Sequence, residues 1–82
     1  MFTNDLKKGD KIRLRNGWDA KIEDNQKGNT RLCTVYGDFT EMGSVYSHDI
    51  MWKQNPDGSV AEMVEHTPAQ LKVKQRVAAL GF

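Results

Sequence analysis

Short segments in which apolar and polar residues alternate fill most of the chain and predict β-strands. Residues 11–15 alternate charged with apolar side chains, and residues 18–23 alternate again after an Asn-Gly pair. A period of two places every second side chain on the same face of a strand, so both segments predict strands with one buried face. Together they predict a hairpin near the start of the chain.

The loop of this hairpin decides which residues oppose each other. A two-residue Asn-Gly turn would place apolar Leu14 opposite charged Asp19. A three-residue loop that ends at a left-handed Gly17 instead pairs Leu14 with Trp18. We therefore predict the three-residue loop, which also places Arg13 opposite Asp19 on the outer face.

A third strand is predicted over residues 30–36, which are rich in Thr, Val and Tyr. A two-residue Gly-Asp turn follows it, and counting back from this turn pairs Tyr36 with Phe39 near the tip. The same register pairs Cys33 with Met42. Both of these side chains are therefore expected to face the core.

A further hairpin is predicted where residues 51–54 and 59–64 flank an Asn-Pro-Asp-Gly turn. Counting from this turn places Trp52 opposite Glu62 and beside Val60. Both faces of the hairpin are then partly apolar, so something must cover the second face. The C-terminal helix and a partner protein are the two candidates.

The last sixteen residues change to a helical period. Thr67 can cap the helix, Pro68 suits its first position, Gln70 completes a capping box, and Gly81 fits just past its end. A helix is predicted over about 68–80. Its apolar stripe consists of Leu71, Val73, Val77 and Leu80.

Length and charge limit the classes of protein that fit this sequence. A chain of 82 residues predicts one domain over residues 1–82, with strands over about 8–65, and excludes a two-domain enzyme. The net charge of +1 argues against affinity that comes mainly from neutralising phosphates. With a single cysteine and no apolar run typical of a signal peptide or membrane span, a cytoplasmic protein is expected.

Residues 6–22, which begin Leu-Lys-Lys-Gly-Asp and continue through the first predicted hairpin, resemble the opening of small SH3-like barrels, including KOW-type domains. After Gly17 the chain lacks the further spaced glycines of the KOW pattern. The resemblance implies a mainly β fold, an SH3-like antiparallel barrel of five or six strands with a C-terminal α-helix. Barrels of this class bind peptides, nucleic acids or protein complexes.

The whole chain also resembles uncharacterised small proteins of bacteriophages and mobile elements, on the segment Thr-Glu-Met-Gly-Ser-Val-Tyr at residues 40–46 and the basic terminal helix. This resemblance implies a bacterial cytoplasm. It also implies a role in modulating host or defence machinery.

Residues able to carry chemistry are few. Cys33, His48, Asp49 and His66 have none of the spacings typical of metal or nucleophile sites, and the glycines are too far apart for a phosphate-binding loop. We therefore predict no enzymatic activity, no metal site and no cofactor. Cys33 is expected to be a core residue.

Two binding hypotheses remain, and both describe a monomer or homodimer that does not enter a membrane. The first is a non-enzymatic module that modulates or inhibits a host protein complex through protein contacts, with the aromatic residues Tyr36, Phe39 and Trp52 as the binding residues. The alternative is a nucleic-acid-binding domain that uses the basic first hairpin and the C-terminal helix. Its binding residues would be Lys11, Arg13, Arg15 and Lys21.

Overall fold

A computed structural model describes residues 1–25 and 29–80 of the chain. The described residues form six strands, one α-helix and two short 3-10 turns, Thr3–Asp5 and Ser47–Asp49. The strands are Lys11–Leu14 (β1), Asp19–Asp24 (β2), Thr30–Tyr36 (β3), Thr40–Tyr46 (β4), Ile50–Gln54 (β5) and Val60–Met63 (β6), and the helix is Pro68–Ala79 (α1).

All six strands pair antiparallel in one sheet, in the order β4-β3-β2-β1-β5-β6. The prediction of a mainly β fold with a C-terminal helix is confirmed. Within the described residues β4 and β6 are the two edges of the sheet and do not pair with each other. The sheet is therefore open, and closure into a barrel is not seen.

The first hairpin has the predicted register. Arg13 lies opposite Asp19, and the Leu14 N–H donates a hydrogen bond to the Trp18 carbonyl at 2.8 Å. Gly17 has a φ of +90°, a backbone conformation that residues other than glycine rarely adopt. The three-residue loop therefore depends on glycine at this position.

The predicted register of the β3–β4 hairpin is wrong by one residue. Tyr36 lies opposite Thr40 rather than Phe39, because residues 37–39 form a three-residue loop. A shift of one residue moves each side chain of β4 to the other face of the sheet. Met42 therefore lies on the outer face, 64% exposed, instead of in the core.

This register is associated with a close contact between Gly37 and Trp18. Asp19 lies opposite Tyr36 across β2 and β3, so the next residue on each side, Trp18 and Gly37, are neighbours. A Cβ atom on Gly37 would lie 2.5 Å from the Trp18 ring. The ring therefore occupies space that any side chain at residue 37 would need.

We expect Gly37→Ala to push the Trp18 ring outward, because that ring is already 43% exposed and can move. The expected loss of stability is about 1 kcal/mol, with a shift in tryptophan emission measured in a Trp52→Phe background so that only Trp18 reports. Gly43→Ala is the matched control, since nothing lies within 4 Å of a Cβ at Gly43. Unchanged emission in Gly37→Ala would contradict this contact.

The β5–β6 register also differs from the prediction. Trp52 lies opposite Met63 rather than Glu62, and Lys53 lies opposite Glu62. The register shifts between Lys53 and Gln54. An extra residue on one strand of an antiparallel pair is a β-bulge, which the turn sequence alone does not reveal.

The start of α1 is as predicted. The Gln70 N–H donates to Thr67 Oγ1 at 3.2 Å, and the Thr67 N–H donates to Gln70 Oε1 at 3.0 Å. Pro68 occupies the first turn, where its missing N–H costs nothing. Gly81, predicted to follow the helix, lies outside the described residues.

The helix leaves part of the outer face of the β5–β6 hairpin exposed. It packs mainly against the 3-10 turn Ser47–Asp49, with Val73 buried and Leu80 74% exposed. Val60, on β6, remains 50% exposed. Of the two candidates to cover this face, the terminal helix therefore leaves Val60 half exposed.

The core lies on the inner face of the sheet. Cys33 is fully buried there, as predicted, and burial raises the pKa of its thiol to about 11. The thiol is therefore protonated at neutral pH, and its low thiolate content makes it a poor nucleophile. The buried apolar cluster consists of Leu6, Ile12, Leu14, Ala20, Ile22, Cys33, Ile50 and Val64.

One charged residue, Arg31 of β3, is buried next to this core, with 1% of its surface exposed. Its Nη1 donates to the Thr30 carbonyl at 2.8 Å and to Ser47 Oγ at 2.9 Å. Its Nε donates to Asn25 Oδ1, and its Nη2 donates to Asn4 Oδ1. Burial lowers the pKa of Arg31, and this network joins the N-terminal segment, the end of β2 and the turn before β5.

Candidate functional site

The pairings of the strands align one residue from each strand in a row across the outer face of the sheet. Tyr36 and Trp52, two of the predicted partner-binding residues, belong to this row. They are three strand spacings apart, about 14 Å. The third predicted residue, Phe39, lies in the loop beyond β3 and is 77% exposed. The row consists of Thr40, Tyr36, Asp19, Arg13, Trp52 and Met63.

A polar seam separates the two aromatic residues of the row. Asp19 Oδ1 accepts hydrogen bonds from Arg13 Nε at 2.7 Å and from Gln54 Nε2 at 3.0 Å. Burial acts to raise the pKa of Asp19, but the hydrogen bonds from Gln54 and Arg13 and the charges of Arg13 and Lys11 lower it overall. The Arg13 guanidinium also lies 5.8 Å from the centre of the Trp52 ring, in a cation–π contact. Trp52 is thus partly covered by its own sheet.

The four cations of the nucleic-acid hypothesis are mostly neutralised by carboxylates. Ion pairs join Arg13 to Asp19 at 2.7 Å, Arg15 to Asp49 at 3.2 Å, and Lys21 to Glu23 at 3.2 Å. Lys11 has no ion pair among the described residues. A phosphate would have to compete with these carboxylates for three of the four cations, which weakens the case for a nucleic-acid surface.

Exposed apolar side chains form a continuous strip on β3 and β4. Met42 lies opposite Thr34, so Leu32 and Tyr36 are its diagonal neighbours, at about 7–8 Å between Cα atoms. Tyr46 is in turn diagonal to Leu32. We name Leu32, Tyr36, Met42 and Tyr46 the β3–β4 strip; its members are between 38% and 64% exposed.

The β3–β4 strip borders an open sheet edge. The Ser47 N–H donates to the Asn29 carbonyl at 2.8 Å, and the Gly37 N–H donates to the Phe39 carbonyl at 3.3 Å. Both hydrogen bonds continue the register of the β3–β4 residue pairs. Hydrogen-bonded and non-hydrogen-bonded pairs alternate along an antiparallel ladder, so the odd-numbered residues of β4 form the hydrogen bonds to β3. The even-numbered residues of β4 therefore direct their N–H and C=O groups away from β3, to the open edge. These residues are Thr40, Met42, Ser44 and Tyr46.

The other edge of the sheet is partly occupied by the chain itself. The Met1 nitrogen donates to the Met63 carbonyl at 3.0 Å, and the Glu65 N–H donates to the Met1 carbonyl at 2.7 Å. Phe2 forms a parallel bridge with Glu65. No such segment lies along β4 in the part of the chain that the structure describes. The β4 edge is therefore more available than the β6 edge for pairing with another strand.

His48 belongs to the 3-10 turn before β5, and His66 lies close to the start of that strand. His48 is 3% exposed; burial lowers the pKa of its imidazole, while the Asp49 carboxylate opposes this effect. His66 Nε2 lies 3.0 Å from the Ile50 carbonyl. Among residues 1–25 and 29–80, no group of three or more histidine, cysteine or acidic side chains is arranged to hold a metal ion.

Sequence reasoning missed Met42 as a surface residue and Arg31 as a buried one. The strand alternation of β3 carries a signal for Arg31, because residues 31, 33 and 35 share a face and Cys33 was expected inside. The signal for Met42 is weaker, since it requires the length of the loop after Tyr36.

The helix α1 has 12 residues, and no helix among the described residues is long and apolar enough to cross a membrane. No family model, curated protein or solved structure matches the chain.

Proposed function

We propose that this protein is a non-enzymatic binding module that takes up an extended segment of a partner protein along β4. The open β4 edge is the observation that carries the proposal. An added strand would form main-chain hydrogen bonds with β4, and the strip would select the side chains of the partner.

The backbone of β4 supplies the affinity in this proposal. Four residues of β4 direct N–H and C=O groups to the edge, beginning at Thr40 and ending at Tyr46. A long strand edge without covering structure is a template for pairing with another chain. β4 has seven residues, and Glu41 is its only charged side chain, so little on the strand repels an added segment.

The β3–β4 strip supplies the specificity. Every second side chain of an added strand would lie on the outer face next to Met42 and Tyr46. Apolar side chains at those positions would bury the exposed surface of Met42. Tyr36 and Phe39, two of the three residues predicted from sequence, lie at one end of the strip and can extend the contact.

An SH3-like module of phage or mobile-element type, acting in a bacterial cytoplasm, would use this edge to occupy a surface of a host protein complex. The opening hairpin, on whose residues the SH3-like resemblance is based, has the predicted register.

We expect Met42→Lys to abolish capture of the partner, because a lysine on the edge strand places an unpaired charge in the strip. Met63→Lys is the matched control: Met63 is 54% exposed on the opposite edge strand. The measurement is a pull-down from nuclease-treated bacterial lysate with the wild type and both variants. The captured protein should be lost with Met42→Lys and retained with Met63→Lys.

Hydrogen exchange on the captured complex then locates the contact. The amides of Met42 and Ser44 should become protected, because the added strand accepts their hydrogen bonds. Equal capture by both variants, or protection confined to β6, would contradict the proposal. Capture that disappears on nuclease treatment would favour nucleic acid, and dimerisation lost in Met42→Lys would identify a second copy as the occupant of β4.

A further inference from the structure

A groove of about 590 Å³ opens on the inner side of the sheet, next to the core. It lies between the loop of the first hairpin, the inner face of β3 and β4, and the last turns of α1. Its lining includes the apolar side chains Leu14, Trp18, Val35, Val45 and Val77, together with Tyr46 of the β3–β4 strip. Val35 and Val45 belong to odd-numbered positions, so they face away from the β3–β4 strip.

The lining leaves apolar surface without a packing partner. Val35, Val45 and Val77 are only partly buried, although all three face the groove. A volume of this size falls within the range of about 300–1,000 Å³ typical of sites for small molecules. A ligand with an apolar body would remove this surface from water, which is the main favourable contribution available here.

The charged groups of the groove leave one uncompensated positive charge. Arg15 pairs with Asp49 at 3.2 Å and donates from Nη2 to the His48 carbonyl at 2.9 Å. Lys74, on the helix wall, has no ion pair among the described residues. His48 adds no charge at neutral pH, since burial lowers the pKa of its ring.

We infer that this groove binds a small organic anion with an apolar body, such as a medium-chain carboxylate. The apolar body lies against Val35, Val45 and Val77, and the carboxylate lies near the Lys74 ammonium. The Lys74 ammonium would repel an organic cation, and a neutral ligand would gain no electrostatic attraction from it. Tyr46 is the one strip residue that also lines the groove, and Val35 and Val45 lie on the opposite face from the strip. The inference therefore goes beyond the proposed function and does not depend on it.

The test compares sodium octanoate with octylammonium chloride, two probes with the same alkyl length and opposite charge. Binding is measured by titration of the amide spectrum in two-dimensional NMR. We expect saturable binding of octanoate with shifts centred on Val35, Val45 and Val77, and at least tenfold weaker binding of octylammonium. Equal affinity for the two probes, or no saturable binding of octanoate up to about 10 mM, would overturn the inference.

Two helix variants test the role of charge. Lys74→Gln should weaken octanoate binding by about fivefold, while Lys72→Gln, an exposed lysine on the same helix outside the groove, should leave it unchanged. Equal affinities of the two variants would overturn the assignment of the carboxylate to Lys74. Met42→Lys should bind octanoate like the wild type, so this site and the β4 proposal can fail separately; shifts confined to β4 edge residues would also overturn the inference.

Discussion

Arg31→Met is expected to lower the free energy of unfolding by about 3 kcal/mol, the largest effect of any substitution considered. Methionine fills much of the same volume but donates no hydrogen bonds. The side-chain oxygens of Asn4, Asn25 and Ser47 would each lose a donor in a largely buried setting. For a domain of this size the melting temperature should fall by roughly 10–20 °C, measured by circular dichroism.

Arg13→Met is the matched control for this experiment. Arg13 lies two strands away on the outer face, where its side chain is one-third exposed and its guanidinium pairs with Asp19. Exposed ion pairs contribute at most about 1 kcal/mol. Similar losses in the two variants would show that the buried network contributes no more than a surface ion pair.

The buried thiol of Cys33 is expected to make the protein lose about 2–3 kcal/mol of stability as the pH rises from 9 to 11. Burial is the main cause of the raised pKa; the nearby Glu23 carboxylate also raises it, and the Arg31 guanidinium opposes both. The unfolded chain releases the thiol proton near the ordinary pKa of 9.0, whereas the folded protein keeps it until about 11. The contribution is therefore fully present below pH 9 and is lost on going to pH 11.

The measurement is urea unfolding of the wild type and Cys33→Ala at several pH values between about 8 and 11. Lysine and tyrosine side chains titrate in both proteins, so the difference between the two curves isolates the thiol. The two stabilities should converge as the pH rises. A constant difference across this range would contradict a raised pKa of Cys33.

Local patterns in the sequence predicted the first hairpin and the start of the helix. The hairpin register follows from the requirement that Leu14 and Trp18 share a face, together with a glycine at the position where φ is positive. The helix start follows from Thr67 and Gln70, whose two hydrogen bonds are made within four residues. Neither feature needs a contact from elsewhere in the chain.

The same local reasoning failed where distant residues set the register. Gly37 lies in the loop after β3, as predicted, but the loop has three residues instead of two. The Trp18 ring of the first hairpin lies next to Gly37, a contact that the residues around Gly37 do not reveal. The bulge between β5 and β6 likewise moved Trp52 to a position opposite Met63. A register error of one residue exchanges core and surface, and for this reason Met42 was expected inside.

Alternation and capping, which act between residues close in sequence, thus determined the strands, the helix and the burial of Cys33. Alternation places Arg31 on the same face as Cys33, but only the tertiary structure supplies the partners that allow its guanidinium to be buried. Two of these partners, Asn4 and Ser47, are 27 and 16 residues away in the sequence. It also decided that, within residues 1–25 and 29–80, the sheet is open and no strand pairs with the outer edge of β4. These properties depend on which strands become neighbours. That strand order is stabilised by contacts between segments distant in the sequence, which a local pattern does not show.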